Sequence, residues 1–343
     1  MRTTPDLAAL PRVRLALLPT PLEPLPGLTS ALGGPQLWAK RDDLTGFGMG
    51  GSKVRKLEMI LANARAEGAD TLVVSGDYQS NLSRLVASAA GRLGMRAVLI
   101  LGGEEHETRA VQGNLLLDEL AGAEIRWFEG DFRQGHAHAM VVAEEFRARG
   151  AHPYVVPMGG SGPLGASAYL AATLELIGQC DALDLRLDAL ALPVGSGGTF
   201  AGLVLGAKVY DAPFKVLGFS VSRTAEYIRR HVANLANETS ERLDLDTRIT
   251  PDDVLVDDSS VAPGFGRLTE AAIDATRMAA RADGLFLDPV YTAKAAARLF
   301  ERIRGGEWTR AQSVSLLHTG GMPALFAYAE EMTSSRLELQ AAP

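Results

Sequence analysis

Along nearly the whole chain, short β-branched or apolar runs alternate with segments of helical periodicity. TLVVSG (71–76) precedes a helical segment from Asn81 to Leu93, and AVLIL (97–101) precedes one from Thr108 to Ala121. EIRWFE (124–129) leads to Ala137–Arg149, YVVP (154–157) to Pro163–Ile177, and ALALPV (189–194) to Thr199–Lys208. KVLGFSV (215–221), GLFLDP (284–289) and SVSLLHTGG (313–321) each introduce a further helix. This strand–helix alternation predicts an α/β fold of parallel sheets flanked by helices. Residues 234–263 are polar and weakly periodic, and read as a long irregular connection. A length of 343 residues suggests about two domains.

The net charge of −7 lacks the basic excess of a nucleic-acid or anionic-membrane binder. A single cysteine, Cys180, excludes an intrachain disulfide framework and a thiolate zinc cluster. The first 25 residues carry Arg12, Arg14 and several prolines, so no signal-peptide core is expected. A cytoplasmic protein acting on small molecules follows. The six histidines show no paired metal spacing, and no metal site is expected.

The richest turn is GFGMGGS (46–52), followed by Lys53-Val-Arg55-Lys56. Gly46, Gly48 and Gly51 match GxGxxG formally, but the preceding residues are polar where a dinucleotide fingerprint needs a buried strand. Ser52 separates Gly51 from Lys53, so a nucleotide P-loop is a weak reading as well. What is left is a lysine in the first turn of a helix. The positive helix end disfavours its ammonium, which should lower its pKa and suit it to Schiff-base chemistry. A solvated lysine at a helix start is the bland alternative.

Three further turns join a strand to a helix. In Gly76-Asp-Tyr-Gln79-Ser80-Asn81, the free N–H groups of the helix start suit an anion, while Ser80 or Asn81 as a plain cap is the alternative. Gly195-Ser196-Gly197-Gly198-Thr199 lets the backbone approach an anion closely and adds two hydroxyls, which suits a phosphate cup, while a plain βα turn is the alternative. His318-Thr319-Gly320-Gly321 is similar in form. Tyr291, in Asp288-Pro-Val-Tyr291-Thr292, stands at the head of a helix.

Taken together and in this order, PTPLEPL (20–26), WAKRDDLTGFGMGGSKVRKLE (38–58), GDYQSNLSR (76–84), VPMGGSGPLG (156–165), VGSGGTFAGL (194–203), DPVYTAKA (288–295) and HTGGMPALF (318–326) resemble the pyridoxal-phosphate enzymes of fold type II, the tryptophan synthase β family. The resemblance is to the branch of 1-aminocyclopropane-1-carboxylate (ACC) deaminase and D-cysteine desulfhydrase. It implies a two-domain enzyme with the cofactor in the interdomain cleft. Residues 66–166 would form the smaller, substrate-binding domain, and 1–65 with 167–343 the larger. A homodimer is implied too.

The resemblance also implies roles. Lys53 would hold pyridoxal 5'-phosphate covalently, with Lys56 helping to bind its phosphate and Asn81 bonding the ring hydroxyl oxygen. Gly195, Ser196, Gly197, Gly198 and Thr199 would cradle the phosphate, and Thr319 would meet the pyridine nitrogen. Ser80 would be the acid/base hydroxyl, with Gln79, Asn81, Phe265 and Tyr291 also on the substrate and Tyr291 catalytic. The deaminases carry glutamate where this chain has Thr292, and Thr319 is neutral, so the site reads as a β-elimination site. Three positions depart from the family pattern: Ser52 replaces asparagine, Leu82 replaces histidine or glutamine, and Phe265 replaces tyrosine. The expected reaction converts a small β-substituted amino acid to a 2-oxo acid and ammonia. D-Cysteine is the first expected substrate, L-cysteate the second and ACC the third; a non-catalytic ligand-binding homologue is the alternative from another class.

Overall fold

The computed structural model describes Leu7, residues 10–102 and residues 110–333. Their strands form two sheets. The larger runs in the order β1 (Leu22–Pro24), β2 (Gln36–Lys40), β10 (Ser313–Leu317), β7 (Ala189–Val194), β8 (Lys215–Ser220), β9 (Leu255–Asp257). Only β1 is antiparallel to its neighbour. The smaller is wholly parallel, in the order β5 (Glu124–Phe128), β4 (Arg96–Gly102), β3 (Thr71–Asp77), β6 (Pro153–Val156).

Central strands such as β7 and β10 are buried throughout, because helices cover both faces and successive side chains point to opposite ones. In β7, Leu190, Leu192 and Val194 join the core formed with α6 (Pro163–Ala182), α7 (Gly198–Val209) and α8 (Ala225–Arg242). Ala189 and Ala191 turn the other way, toward α1 (Pro26–Leu32), α9 (Glu270–Asp283) and α10 (Thr292–Arg304). In β3, Leu72 and Val74 face α2 (Ser52–Ala66) and α3 (Asn81–Leu93), while Val73 faces α5 (Gly135–Ala148). Two shorter helices, α4 (Gly113–Leu120) and α11 (Met322–Ala327), pack against each other.

Helix α2 serves both sheets. Val54, Leu57, Ile60 and Leu61 enter the core of the smaller sheet, and the helix also packs on α6. Its Arg55 is buried and joined to Asp42 at 2.9–3.1 Å and to Glu175 of α6 at 2.8 and 2.9 Å. Lys40 reaches Glu175 at 2.5 Å, and the Tyr169 hydroxyl donates to Asp42 at 2.7 Å. Burial pushes the Glu175 carboxyl up, but Arg55 and Lys40 outweigh it and hold the group down to about 2. Leaving any partner of such a cluster unpaired is costly, so the start of α2 is rigidly placed.

Three expectations need correction. The stretch 234–263 is not one long connection: α8 runs to Arg242, and β9 adds an edge strand. The helix was obscured because only a narrow stripe (Ile228, Val232, Leu235, Ala236) is apolar. GLFLDP forms no strand; the His318 ring bonds the Phe286 carbonyl and the Thr292 hydroxyl accepts from the Asp288 amide, so side chains replace a sheet partner. The helix expected from Thr108 begins at Gly113; Thr108 itself lies outside the described residues. Among the described residues no helix is long and apolar enough to cross a membrane, and no group of three or more His, Cys, Asp or Glu side chains is placed to hold a metal ion.

Candidate active site

The C-terminal ends of β3, β6, β7 and β10 open on one cavity of about 480 Å³, the place where parallel α/β sheets bind ligands. Lys53, Lys56, Gln79, Ser80, Asn81, Phe265, Tyr291 and Thr319 all line it, with Gly195, Ser196, Gly197 and Thr199. Gly198 is the exception among the expected residues: its amide is spent on the Ser161 hydroxyl at 3.0 Å.

Lys53 is the second residue of α2 and follows a tightly bent loop. Gly46, Gly48, Met49, Gly50 and Gly51 all have positive φ, which glycine tolerates and Met49 does only at a cost. The Ser52 amide donates to the Thr319 carbonyl at 2.9 Å, which ties the loop to the end of β10. Burial takes the Lys53 amine down to about 8, with Asp288 opposing the shift. The direction matches the expectation, but burial is the main cause. Lys56, one turn on, is held well below its usual range by burial and then by the Lys53 charge, and it donates to the Gly159 carbonyl at 3.1 Å.

Ser80 is both a cap and a cavity residue: its hydroxyl accepts from the Ser83 amide at 3.2 Å, and the same side chain faces the cavity. Asn81 is oriented by Asn114, whose Nδ2 donates to the Asn81 Oδ1 at 2.9 Å and to the Gln79 carbonyl at 2.8 Å. Tyr291 heads α10, where the buried Asp288 carboxylate accepts from the amides of Val290 (3.2 Å), Tyr291 (2.9 Å) and Thr292 (2.9 Å). Burial raises the Tyr291 hydroxyl far above its usual range, so it stays protonated. Thr292 lies behind this turn, its hydroxyl 2.6 Å from Asp288. Phe265 sits edge-on to Tyr291 at 5.7 Å and against Phe132 at 4.8 Å.

Several partners of the glycine cup went unrecognised in the sequence. The Ser161 hydroxyl donates to Ser196 Oγ at 2.7 Å, and the His231 ring lies 3.2 Å from the Ser196 carbonyl. Residues 159–161 repeat the strand, glycine turn and helix pattern of 194–199, a signal that was available; His231, on α8, carried none. In the sequence Asp288 stands out only as the start of the Tyr291 motif.

The donor set fits a phosphate monoester with an attached ring. Two enclosed lysines lie close enough for one to depress the other, and the N-cap Gly197 has no side chain to occupy the start of α7, so the first-turn amides other than that of Gly198 stay available. The cup has no room for larger residues: a Cβ on Gly159 would lie 2.0 Å from Ser196 Oγ, and one on Gly195 3.0 Å from the Tyr291 ring.

Residues 13–320 match the family model described as pyridoxal-phosphate dependent enzyme. The chain belongs to that family. It is 39% identical over 327 residues to a putative 1-aminocyclopropane-1-carboxylate deaminase of Pyrococcus abyssi, covering 95% of this chain and 96% of the relative. To a D-cysteine desulfhydrase of Salmonella typhi it is 37% identical, covering 94% and 97%. A solved ACC deaminase homologue superposes with a TM-score of 0.88 at 35% identity, over 96% of this chain and 97% of the other. The protein is thus a pyridoxal-phosphate-dependent lyase of the branch that holds both kinds of relative, with the fold type II architecture.

Proposed function

We propose that the enzyme eliminates a β-substituent from a small amino acid, D-cysteine first, giving a 2-oxo acid, ammonia and sulfide. L-Cysteate, with sulfite leaving, is the second choice. The observation that carries this reading is the Thr319 hydroxyl at the end of β10, together with Thr292 turned away onto Asp288.

Pyridoxal phosphate, once bound, supplies an electron sink for the pair left when a Cα–H bond breaks. Lys53 would hold it, and an amine near 8 can be free of its proton at neutral pH and take one from Cα. Lys56, Ser196, Gly197 and Thr199 would hold the phosphate, with Gly195 giving clearance and Gly198 supporting the cup through Ser161. Asn81, fixed by Asn114, offers its amide nitrogen to a ring oxygen. Ser80 can pass a proton at the substrate. Tyr291, which keeps its proton, donates a hydrogen bond but does not act as a base. The Ser80–Asn81 helix start would take the substrate carboxylate, with Gln79 holding that turn through its bonds to Asp77, the Gln112 carbonyl and the Asn114 amide. A neutral Thr319 can bond a ring nitrogen but supplies no charge to keep a proton there. That favours substrates whose leaving group departs soon after Cα–H removal, such as thiolate or sulfite. Phe265 adds an apolar wall with no hydroxyl for opening a cyclopropane ring.

The division into a smaller domain, 66–166, and a larger one is part of the proposal, supported by the segregation of strands 71–156 into their own sheet. A cytoplasmic location is supported by the lone buried Cys180, and a homodimer by the family resemblance. The test is 2-oxo acid release from D-cysteine, L-cysteate and ACC by the holoenzyme, with Lys53→Ala as control. Release from D-cysteine or L-cysteate, absent in Lys53→Ala, is expected. Efficient 2-oxobutyrate formation from ACC would overturn the choice of reaction, and turnover by Lys53→Ala the choice of lysine.

A further inference from the structure

The glycine loop before Lys53 follows a path that its glycines tolerate and Met49 does not favour. Positive φ recurs at Gly46, Gly48, Met49, Gly50 and Gly51, and a β-carbon at Met49 resists it. The loop is tied to the larger sheet through its C-terminal end: the Gly51 amide donates to the Asp42 carbonyl at 3.1 Å and the Ser52 amide to the Thr319 carbonyl at 2.9 Å. Its middle is held from the other side of the cavity. Arg84 of α3 is buried, and its guanidinium donates to the Gly48 carbonyl through Nη1 and to the Gly50 carbonyl through Nη2, the latter at 3.1 Å.

A buried arginine is expensive unless its hydrogen bonds are used. Asp118 of α4 is the counter-charge that acts on it, yet among the described residues both Asp118 oxygens and the Arg84 Nε have no hydrogen-bond partner. Burial pushes Asp118 up to about 8, against the pull of Arg84. The guanidinium is therefore committed to the loop and not to an ion pair. Arg84 also lies one turn after Ser80 and Asn81 on the same helix, so one rigid element carries the substrate turn and grips the lysine loop.

We propose that Arg84 is a positioning residue for Lys53: by bonding the carbonyls of Gly48 and Gly50 it holds the glycine loop in the left-handed path that presents the lysine to the cavity. The inference rests on Lys53 being the lysine that holds the cofactor. Lysine at position 84 keeps the charge but not the planar fork that addresses two carbonyls at once.

The test compares wild type with Arg84→Lys and Arg84→Met by hydrogen exchange of the apo-protein and by ligand titration. In both variants the amides of residues 46–51 should exchange at least about tenfold faster, with β3 unchanged. The Kd for pyridoxal phosphate should rise at least about tenfold, less in Arg84→Lys than in Arg84→Met, while the Kd for inorganic phosphate at the 195–199 cup should not move. Unchanged loop exchange overturns the proposal, as does equal weakening of both ligands. If Arg84→Met does not fold, Arg84→Lys decides alone. Borohydride reduction of the wild-type holoenzyme tests the underlying reading separately: a label on a lysine other than Lys53 removes it without altering the loop-exchange result.

Discussion

Replacing Ser80 by alanine separates two roles that the same hydroxyl can fill. As the cap of α3, Ser80 Oγ accepts one hydrogen bond, from the Ser83 amide at 3.2 Å. Losing a serine cap costs about 1 kcal/mol, which for a chain of this length lowers Tm by roughly 1–2 °C. As a proton-transfer group, its loss should slow turnover by ~10²–10⁴, or roughly 3–5 kcal/mol at the transition state. A control is built into the fold: Thr269 caps α9 in the same way, accepting from the Ala272 amide at 3.1 Å, and does not line the cavity. Thr269→Ala should show the Tm loss alone, whereas Ser80→Ala should show the Tm loss and the rate loss. Both would be measured by thermal unfolding and by 2-oxo acid release at saturating substrate. Normal turnover in Ser80→Ala, with a Tm drop like that of Thr269→Ala, would reduce Ser80 to a cap and refute its chemical role.

The rate at which apo-protein attaches pyridoxal phosphate should rise with pH up to about 8 and then level, because burial lowers the Lys53 pKa from 10.5 and only the neutral amine reacts. Continued increase beyond pH 10, followed by absorbance, would mean that the reacting lysine is not in this environment. Gly159→Ala puts a Cβ where Ser196 Oγ lies 2.0 Å away and forces alanine to φ +64°; the displaced Ser196 loses Ser161, and inorganic phosphate should bind about tenfold or more weakly by competition titration.

The strand–helix alternation, the lysine loop and the glycine cup were legible because each is local: a run, a turn and a helix start lie within a few residues of one another. What escaped was tertiary. His231 reaches the Ser196 carbonyl from 35 residues away, and nothing around it in sequence marks it as different from a surface histidine. Residues 284–288 have the composition of a strand, but their backbone partners are the end of α9, the start of α10 and the side chains of His318 and Thr292. Arg84 was quoted at the end of a motif, yet its contact with Gly48 and Gly50 depends on how α3 docks on a loop that ends before β3 begins. Short edge elements such as β1 and β9, three residues each, are below the length at which periodicity is informative.

Helix α2 belongs to two cores at once, which bears on how the protein can be cut and rebuilt. A fragment beginning at residue 66 would contain every strand of the smaller sheet but none of Val54, Leu57, Ile60 or Leu61, so Leu72, Val74 and Leu85 would face water. The remaining pieces would keep that helix, with Arg55 in the cluster with Asp42 and Glu175, but would expose the apolar face it turns to the smaller sheet. The smaller sheet is therefore a poor cassette for transplantation or separate expression. A split-protein design has better prospects with its break in an exposed turn, such as 149–150 after α5, which keeps α2 on the same fragment as β3, α3 and β4 and asks only the edge strand β6 to re-pair with β3.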